Sequence, residues 1–204
     1  MLEKKSGKGL FICVEGLDGS GKTTQAQILA ERLNKSYSAV YTAEPSNGKT
    51  GIFIRECCLY EKQRLPTAVE ALLFAADRVE HVEAEIKPAL AKGKMVICDR
   101  YLYSSLAYQG SAGLDLEWIR KINSYALKPD YAVFIDAPPE RVLERLQRKK
   151  SVMETLEIQR KVREVYLKFV DRGELVLVDG DKPKDTVADA LYSKVLGFLK
   201  AANS

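Results

Sequence analysis

The chain has 204 residues, enough for one domain with a substantial core. Its net charge of +4 suits an anionic ligand but falls short of the dense positive charge that marks a nucleic-acid binder. No apolar stretch approaches the ~20 residues of a membrane span, and the basic start MLEKKSGKGL lacks the apolar segment of a secretion signal, so the expected setting is the cytoplasm.

Strand-like apolar runs alternate with amphipathic ones. A strand is predicted over 10–14, a helix over 22–33 and a short strand over 39–42. A helix over 52–58 precedes a long one over 67–90, with Pro88 near its end. The run KMVIC at 94–98 reads as a buried strand. A helix follows over 115–126 and a strand over 131–135. Helices over 139–148 and 153–171 come next, then a strand over 175–178 and a closing helix over 185–200. Continuously apolar strands alternating with helices predict a parallel sheet covered on both faces, in a single domain spanning 1–204. The stretch RLQRKKSVMET, about 145–155, is basic and poor in apolar residues, and reads as a mobile excursion from the sheet. Cys13 and Cys98 lie inside strand runs and Cys57 adjoins Cys58. With no C-x-x-C spacing, neither a disulfide framework nor a zinc site is expected.

The most informative segment is Gly16-Leu17-Asp18-Gly19-Ser20-Gly21-Lys22-Thr23, which matches G-x-x-x-x-G-K-[ST] and is followed by Thr24. It lies between a predicted strand and a predicted helix, the context in which such a loop curls its N–H groups around phosphates. The helix directs its positive end at the same point. Lys22 then reaches the β- and γ-phosphates, and the Thr23 hydroxyl ligates Mg²⁺. The expected ligand is a nucleoside triphosphate with Mg²⁺.

A GTPase needs N-K-x-D to read guanine. NKSY at 34–37 lacks the aspartate and falls at the end of the first helix. A motor or helicase needs more chain. A small kinase remains, and it needs a second anionic pocket. DRYLYSSLAYQG, at 99–110, begins at the end of the KMVIC strand, where ligands of open α/β sheets bind. There Asp99 can act on the metal or its waters, and Arg100 can fork onto a phosphate.

Together with AEP at 43–45 and LLFAADR at 72–78, these motifs resemble the thymidylate kinase family over most of the chain. The resemblance implies a P-loop NTPase fold: a five-stranded parallel sheet in the order 2-3-1-4-5, helices on both faces and a short lid. It implies transfer of the γ-phosphoryl group of ATP to dTMP, giving dTDP and ADP, and assembly as a homodimer, with neither nucleic acid nor membrane as partner.

By the same resemblance, Phe74 stacks on thymine and Arg78 donates to a base carbonyl. Gln109 and Ser105 lie near the base, and Tyr108 lies against the sugar. Arg55 and Arg100 hold the acceptor phosphate, while Asp18 and Glu44 sit near the sugar and that phosphate. The family's common R-E-P reads Ala43-Glu44-Pro45 here, and Gly19 stands where some relatives carry a catalytic arginine. A lid arginine would replace the latter. Arg145 is placed to stack on adenine, and Arg148, aided by Lys149, to approach the transferred phosphoryl group.

An acceptor phosphate is already ionised, so no general base is needed. The only histidine, His81, is expected on the surface of the long helix. Two competing readings are a kinase for UMP, CMP or a metabolite alcohol, and a nucleotide-dependent switch without catalysis. The Phe74/Arg78 pair favours a pyrimidine, and the set Lys22, Thr23, Asp99 and Arg100 disfavours a switch.

Overall fold

The computed structural model describes residues 9–59, 65–146 and 155–202. Five strands form one sheet: β1 (Leu10–Gly16), β2 (Ala39–Ala43), β3 (Met95–Asp99), β4 (Tyr131–Asp136) and β5 (Val176–Asp179). All neighbours run parallel, in the order β2-β3-β1-β4-β5. The expected fold is therefore present. The helices are α1 (Lys22–Leu33), α2 (Lys49–Ile54), α3 (Thr67–His81), α4 (Lys87–Ala91), α5 (Leu102–Ser111), α6 (Leu116–Ile122), α7 (Pro139–Arg145), α8 (Leu156–Asp171) and α9 (Lys184–Ala202).

Each sheet face has its own apolar cluster, which is why the central strands read as unbroken apolar runs. On one face Phe11, Cys13, Val96, Cys98 and Phe134 pack with Leu106 of α5 and Tyr166 and Phe169 of α8. Phe134 stacks on Tyr166 at 4.6 Å, and Phe11 meets Tyr101 edge-on at 4.8 Å. On the other face Ile12, Val14, Ile97 and Val133 pack with Leu29 and Leu33 of α1 and Leu191 and Val195 of α9.

Several boundaries differ from the sequence reading for physical reasons. The helix expected over 52–58 starts at Lys49, because Glu80 of α3 accepts the Lys49 and Thr50 N–H groups and so caps it from another element. It continues as a π turn over Arg55–Leu59. The long helix over 67–90 is α3, a π turn (Val82–Ile86) and α4; Pro88, which has no N–H, sits at the start of α4. The SSLAYQG segment, 104–110, lies within the helix α5. The helix expected over 153–171 begins at Leu156, where the Thr155 hydroxyl accepts from the Ile158 N–H at 3.3 Å. Arg148, Lys149 and most of the basic excursion lie outside the described residues.

The expectation for His81 is corrected. It is 1% exposed, because the last turn of α3 faces β2. Its Nε2 lies 2.6 Å from the Thr42 hydroxyl and its Nδ1 lies 3.3 Å from Glu44.

Candidate active site

The C-terminal ends of β1 and β3 bound a crevice where the chain order reverses, since β1 lies between β3 and β4. The phosphate loop leaves β1 there and enters α1. Gly19 and Gly21 have φ of 88° and 87°, in the left-handed region. A Cβ on Gly19 would lie 2.4 Å from the Val142 carbonyl oxygen of α7, so the loop is pressed against a helix at a point where only glycine fits. Lys22 folds over the loop, donates to the Leu17 carbonyl at 3.2 Å and lies 3.8 Å from Asp18. Burial and the charge of Arg100 lower the Lys22 pKa, against the opposing pull of Asp18 and Asp99.

The Thr23 hydroxyl donates to Asp99 Oδ2, which joins the helix start to the end of β3. The other oxygen, Asp99 Oδ1, is buried with no hydrogen-bond partner among the described residues. A hydroxyl beside an uncommitted carboxylate oxygen is the hard-oxygen donor set that suits Mg²⁺ sharing its shell with substrate phosphates. Thr24 is exposed on the next position of α1, and the Ser20 side chain is buried beneath the loop.

Across the cleft stands Arg100. Its φ of 68° makes it the one non-glycine residue with positive φ among the described residues. Its guanidinium donates to Asp18 at 2.6 Å and to the Ser104 hydroxyl at 3.1 Å, and lies 5.1 Å over the Tyr108 ring. The Tyr108 hydroxyl donates to Asp18 at 2.8 Å. Burial alone would raise the Asp18 pKa, but Arg100, Lys22 and the Tyr108 hydroxyl outweigh it and hold the group at about 2. Phosphate loop and β3 end thus meet around one cleft of about 370 Å³, lined by Lys22, Thr23, Glu44, Asp99, Arg100 and Arg145 among others.

A second polar cluster lies deeper. Glu44, just past β2, accepts from Arg78 at 2.7 Å. Arg78 is 1% exposed, donates also to Asn123 and to Ser105 (3.2 Å), and lies 5.0 Å over the Tyr101 ring. Arg78 Nε and Gln109 Oε1 are buried without hydrogen-bond partners among the described residues. Phe74, half-buried, is one helical turn before Arg78. Arg55 is not among the cleft-lining residues: it donates to the carbonyls of Pro45 and Ser46 and to Asn47, bracing the loop after β2. Arg145 is exposed at the cleft margin and donates to the Gly180 carbonyl at 3.2 Å and to Asp181 at 3.0 Å.

The model of the family described as thymidylate kinase matches residues 14–191. The chain belongs to the thymidylate kinase family. A probable thymidylate kinase of Pyrococcus horikoshii is 48% identical over 172 residues, covering 80% of this chain and 84% of that protein. Another, of Thermococcus kodakarensis, is 43% identical over 202 residues, covering 93% and 98%. A third, of Methanocaldococcus jannaschii, is 41% identical over 191 residues, covering 94% and 96%.

Within the thymidylate kinase frame, two features of this site escaped sequence reasoning. Asn123, the partner of Arg78, lies in no motif and reaches the cluster only through the packing of α6. Glu15 interrupts an otherwise apolar strand. A charge inside LFICVEG was a visible signal of a buried polar role.

Proposed function

We propose that this thymidylate kinase family member transfers the γ-phosphoryl group of ATP to dTMP, giving dTDP and ADP on the route to dTTP. The observation that carries the reading is the meeting, in one cleft, of the phosphate loop, with its Asp18, Lys22 and Thr23, and Arg100 at the facing end of β3.

The donor triphosphate lies along Gly16 to Thr24, with loop N–H groups on its oxygens and Lys22 on the β- and γ-phosphates. Arg145 flanks the adenine. Thr23 and Asp99 would hold Mg²⁺, which when bound neutralises charge on the donor phosphates. On the acceptor side Arg100 takes the dTMP phosphate, with Arg55 supporting from the π turn after α2, where it braces the loop after β2. Tyr108 and Asp18 flank the sugar, and Glu44 lies between acceptor phosphate and base. Phe74 stacks on thymine, while Arg78, Ser105 and Gln109 read its edge. The uncommitted Arg78 Nε and Gln109 Oε1 support that role, since buried polar atoms without partners suit a polar ligand.

The acceptor oxygen attacks as an anion, because a phosphate monoester's second pKa is about 6. The protein therefore contributes in-line positioning and charge neutralisation. Arg148, in a lid over about 145–155, would supply the cation that Gly19 does not. Ala43 brings no cation to the acceptor phosphate, which leaves that task to Arg100 and Arg55. We take the chain as one kinase domain, 1–204, working in the cytoplasm. Among the described residues no helix is long and apolar enough to cross a membrane. Ile52, Phe53, Val69 and Leu72, all 41–50% exposed on α2 and α3, offer an apolar face for the homodimer.

The test is ADP release with MgATP across dTMP, dUMP, UMP, dCMP, CMP and AMP, with a no-acceptor control. Turnover strongest with dTMP, weaker with dUMP and near background with cytosine and adenine nucleotides is expected. Equal turnover with UMP or CMP would remove the thymine pocket but leave a kinase. No acceptor-dependent turnover at all would overturn the reading.

A further inference from the structure

Glu15 is fully buried near the end of β1 and touches none of the groups assigned above to substrate. Its Oε1 accepts the Tyr101 N–H at 3.0 Å. Its Oε2 accepts the Ser104 hydroxyl at 2.6 Å and the Tyr166 hydroxyl, from α8, at 3.1 Å. The Ser104 oxygen in turn accepts from the Arg100 guanidinium at 3.1 Å.

These bonds enclose the residue with the unusual backbone. Arg100, at φ 68°, is held on both sides: its own N–H donates to the Val14 carbonyl at 3.0 Å, and the next N–H donates to Glu15. The Cys98 thiol donates to its carbonyl at 3.0 Å. A non-glycine residue in the left-handed region persists only where its surroundings over-determine it. The guanidinium is likewise held from two directions, by Asp18 in front and by Glu15 behind, through Ser104. An incoming phosphate competes with Asp18 for the front.

Proton bookkeeping gives the carboxylate a specific part. Ser104 has one proton and gives it to Glu15, so its oxygen lone pairs face Arg100. A glutamine at position 15 can still accept from Tyr101, but its amide would present N–H groups where Ser104 and Tyr166 also present O–H groups. Both hydroxyls must then turn, and the negative charge behind Arg100 is lost.

We propose that Glu15 is a positioning residue for the acceptor phosphate, setting the left-handed backbone of Arg100 and the aim of its guanidinium through Ser104. The proposal rests on the kinase reading above, in which Arg100 holds that phosphate. The competing role is purely structural: an acidic group at the N-terminus of α5.

The experiment uses the full-length protein, with dTMP and MgATP affinities measured separately by calorimetry alongside steady-state kinetics and thermal melting. Turnover of dTMP by the unaltered protein is established first. Its absence would count against the kinase reading and not against the role of Glu15. Glu15→Gln should weaken dTMP binding roughly tenfold or more, the scale of a lost charge-assisted contact, and leave MgATP binding within about twofold. Ser104→Ala should act in the same direction and Ser104→Thr, which keeps the hydroxyl, should restore affinity. In an Arg100→Ala background Glu15→Gln should add nothing to the loss of dTMP affinity. A lower melting temperature with unchanged dTMP affinity would overturn the proposal, as would equal losses for both substrates or full additivity with Arg100→Ala. Should Glu15→Gln fail to fold, Ser104→Ala decides alone: unchanged dTMP affinity there overturns it.

Discussion

The Asp18 carboxylate and the Arg100 guanidinium meet at 2.6 Å, one carried by the phosphate loop and the other by the end of β3. They are 82 residues apart in sequence, and their contact ties the phosphate loop to the end of β3. A phosphate that binds Arg100 must share it with Asp18.

The first prediction concerns acid stability. Asp18 is held at about 2 in the folded protein, below the ordinary aspartate value of 3.8. A carboxylate with a depressed folded pKa contributes stability above its unfolded pKa and loses it as pH falls through the folded value. The contribution, about 2 kcal/mol, should therefore be present above pH ~4 and vanish between ~4 and ~2. Asp18→Asn should flatten that part of the curve in substrate-free melts recorded across acid pH. An unchanged slope there would show that the Arg100 contact carries no such energy.

The second concerns the buried cation. Arg78 and Glu44 are almost fully buried partners, so removing one leaves the other as an uncompensated charge. Arg78→Met should cost roughly 3–5 kcal/mol in denaturant unfolding. Arg78→Gln, if folded, should also reduce the preference for dTMP over dCMP, read as a ratio of kcat/KM values.

The third compares two glycines of the loop that share a positive φ and differ in space. At Gly19 a Cβ meets the Val142 carbonyl oxygen at 2.4 Å, whereas at Gly21 nothing lies within 4 Å. Gly21→Ala should show only conformational strain, about 1–2 kcal/mol. Gly19→Ala adds a displacement of α7 and should lose more melting temperature and more MgATP affinity. Equal effects would contradict the close approach of loop and helix.

The fourth separates catalysis from stability at Lys22. The group is buried and its charged form is penalised there. Lys22→Met should fold with a melting temperature near that of the unaltered protein, yet lower kcat by on the order of 10³ as charge neutralisation on the donor phosphates is lost. A large fall in melting temperature would instead make Lys22 a structural cation.

The fold and the phosphate loop were legible because their signals are local. Continuous apolar runs mark β1 and β3, and glycine spacing marks the loop. The polar clusters were less legible because their partners are assembled by packing. His81 read as a surface residue because nothing in its neighbourhood along the chain shows that Thr42 and Glu44 close over it. Arg78 was placed near a base by its motif, but its bond to Asn123, 45 residues on, exists only once α6 lies beside α3. In α5 the motif residues Ser105, Tyr108 and Gln109 share a helix with buried Leu106 and Ala107, so the site residues and the packing residues interleave along the chain.

The two faces of the sheet answer to different demands. Glu44, Arg78 and Arg100 rest on the side packed by α3, α5 and α8, whereas α9 covers the opposite side and contributes no cleft-lining residue. Substitutions confined to the apolar contacts of α9, such as those of Leu191 and Val195, should therefore tune heat tolerance with little effect on turnover. This helix is the place where the same chemistry could be adapted to a different temperature.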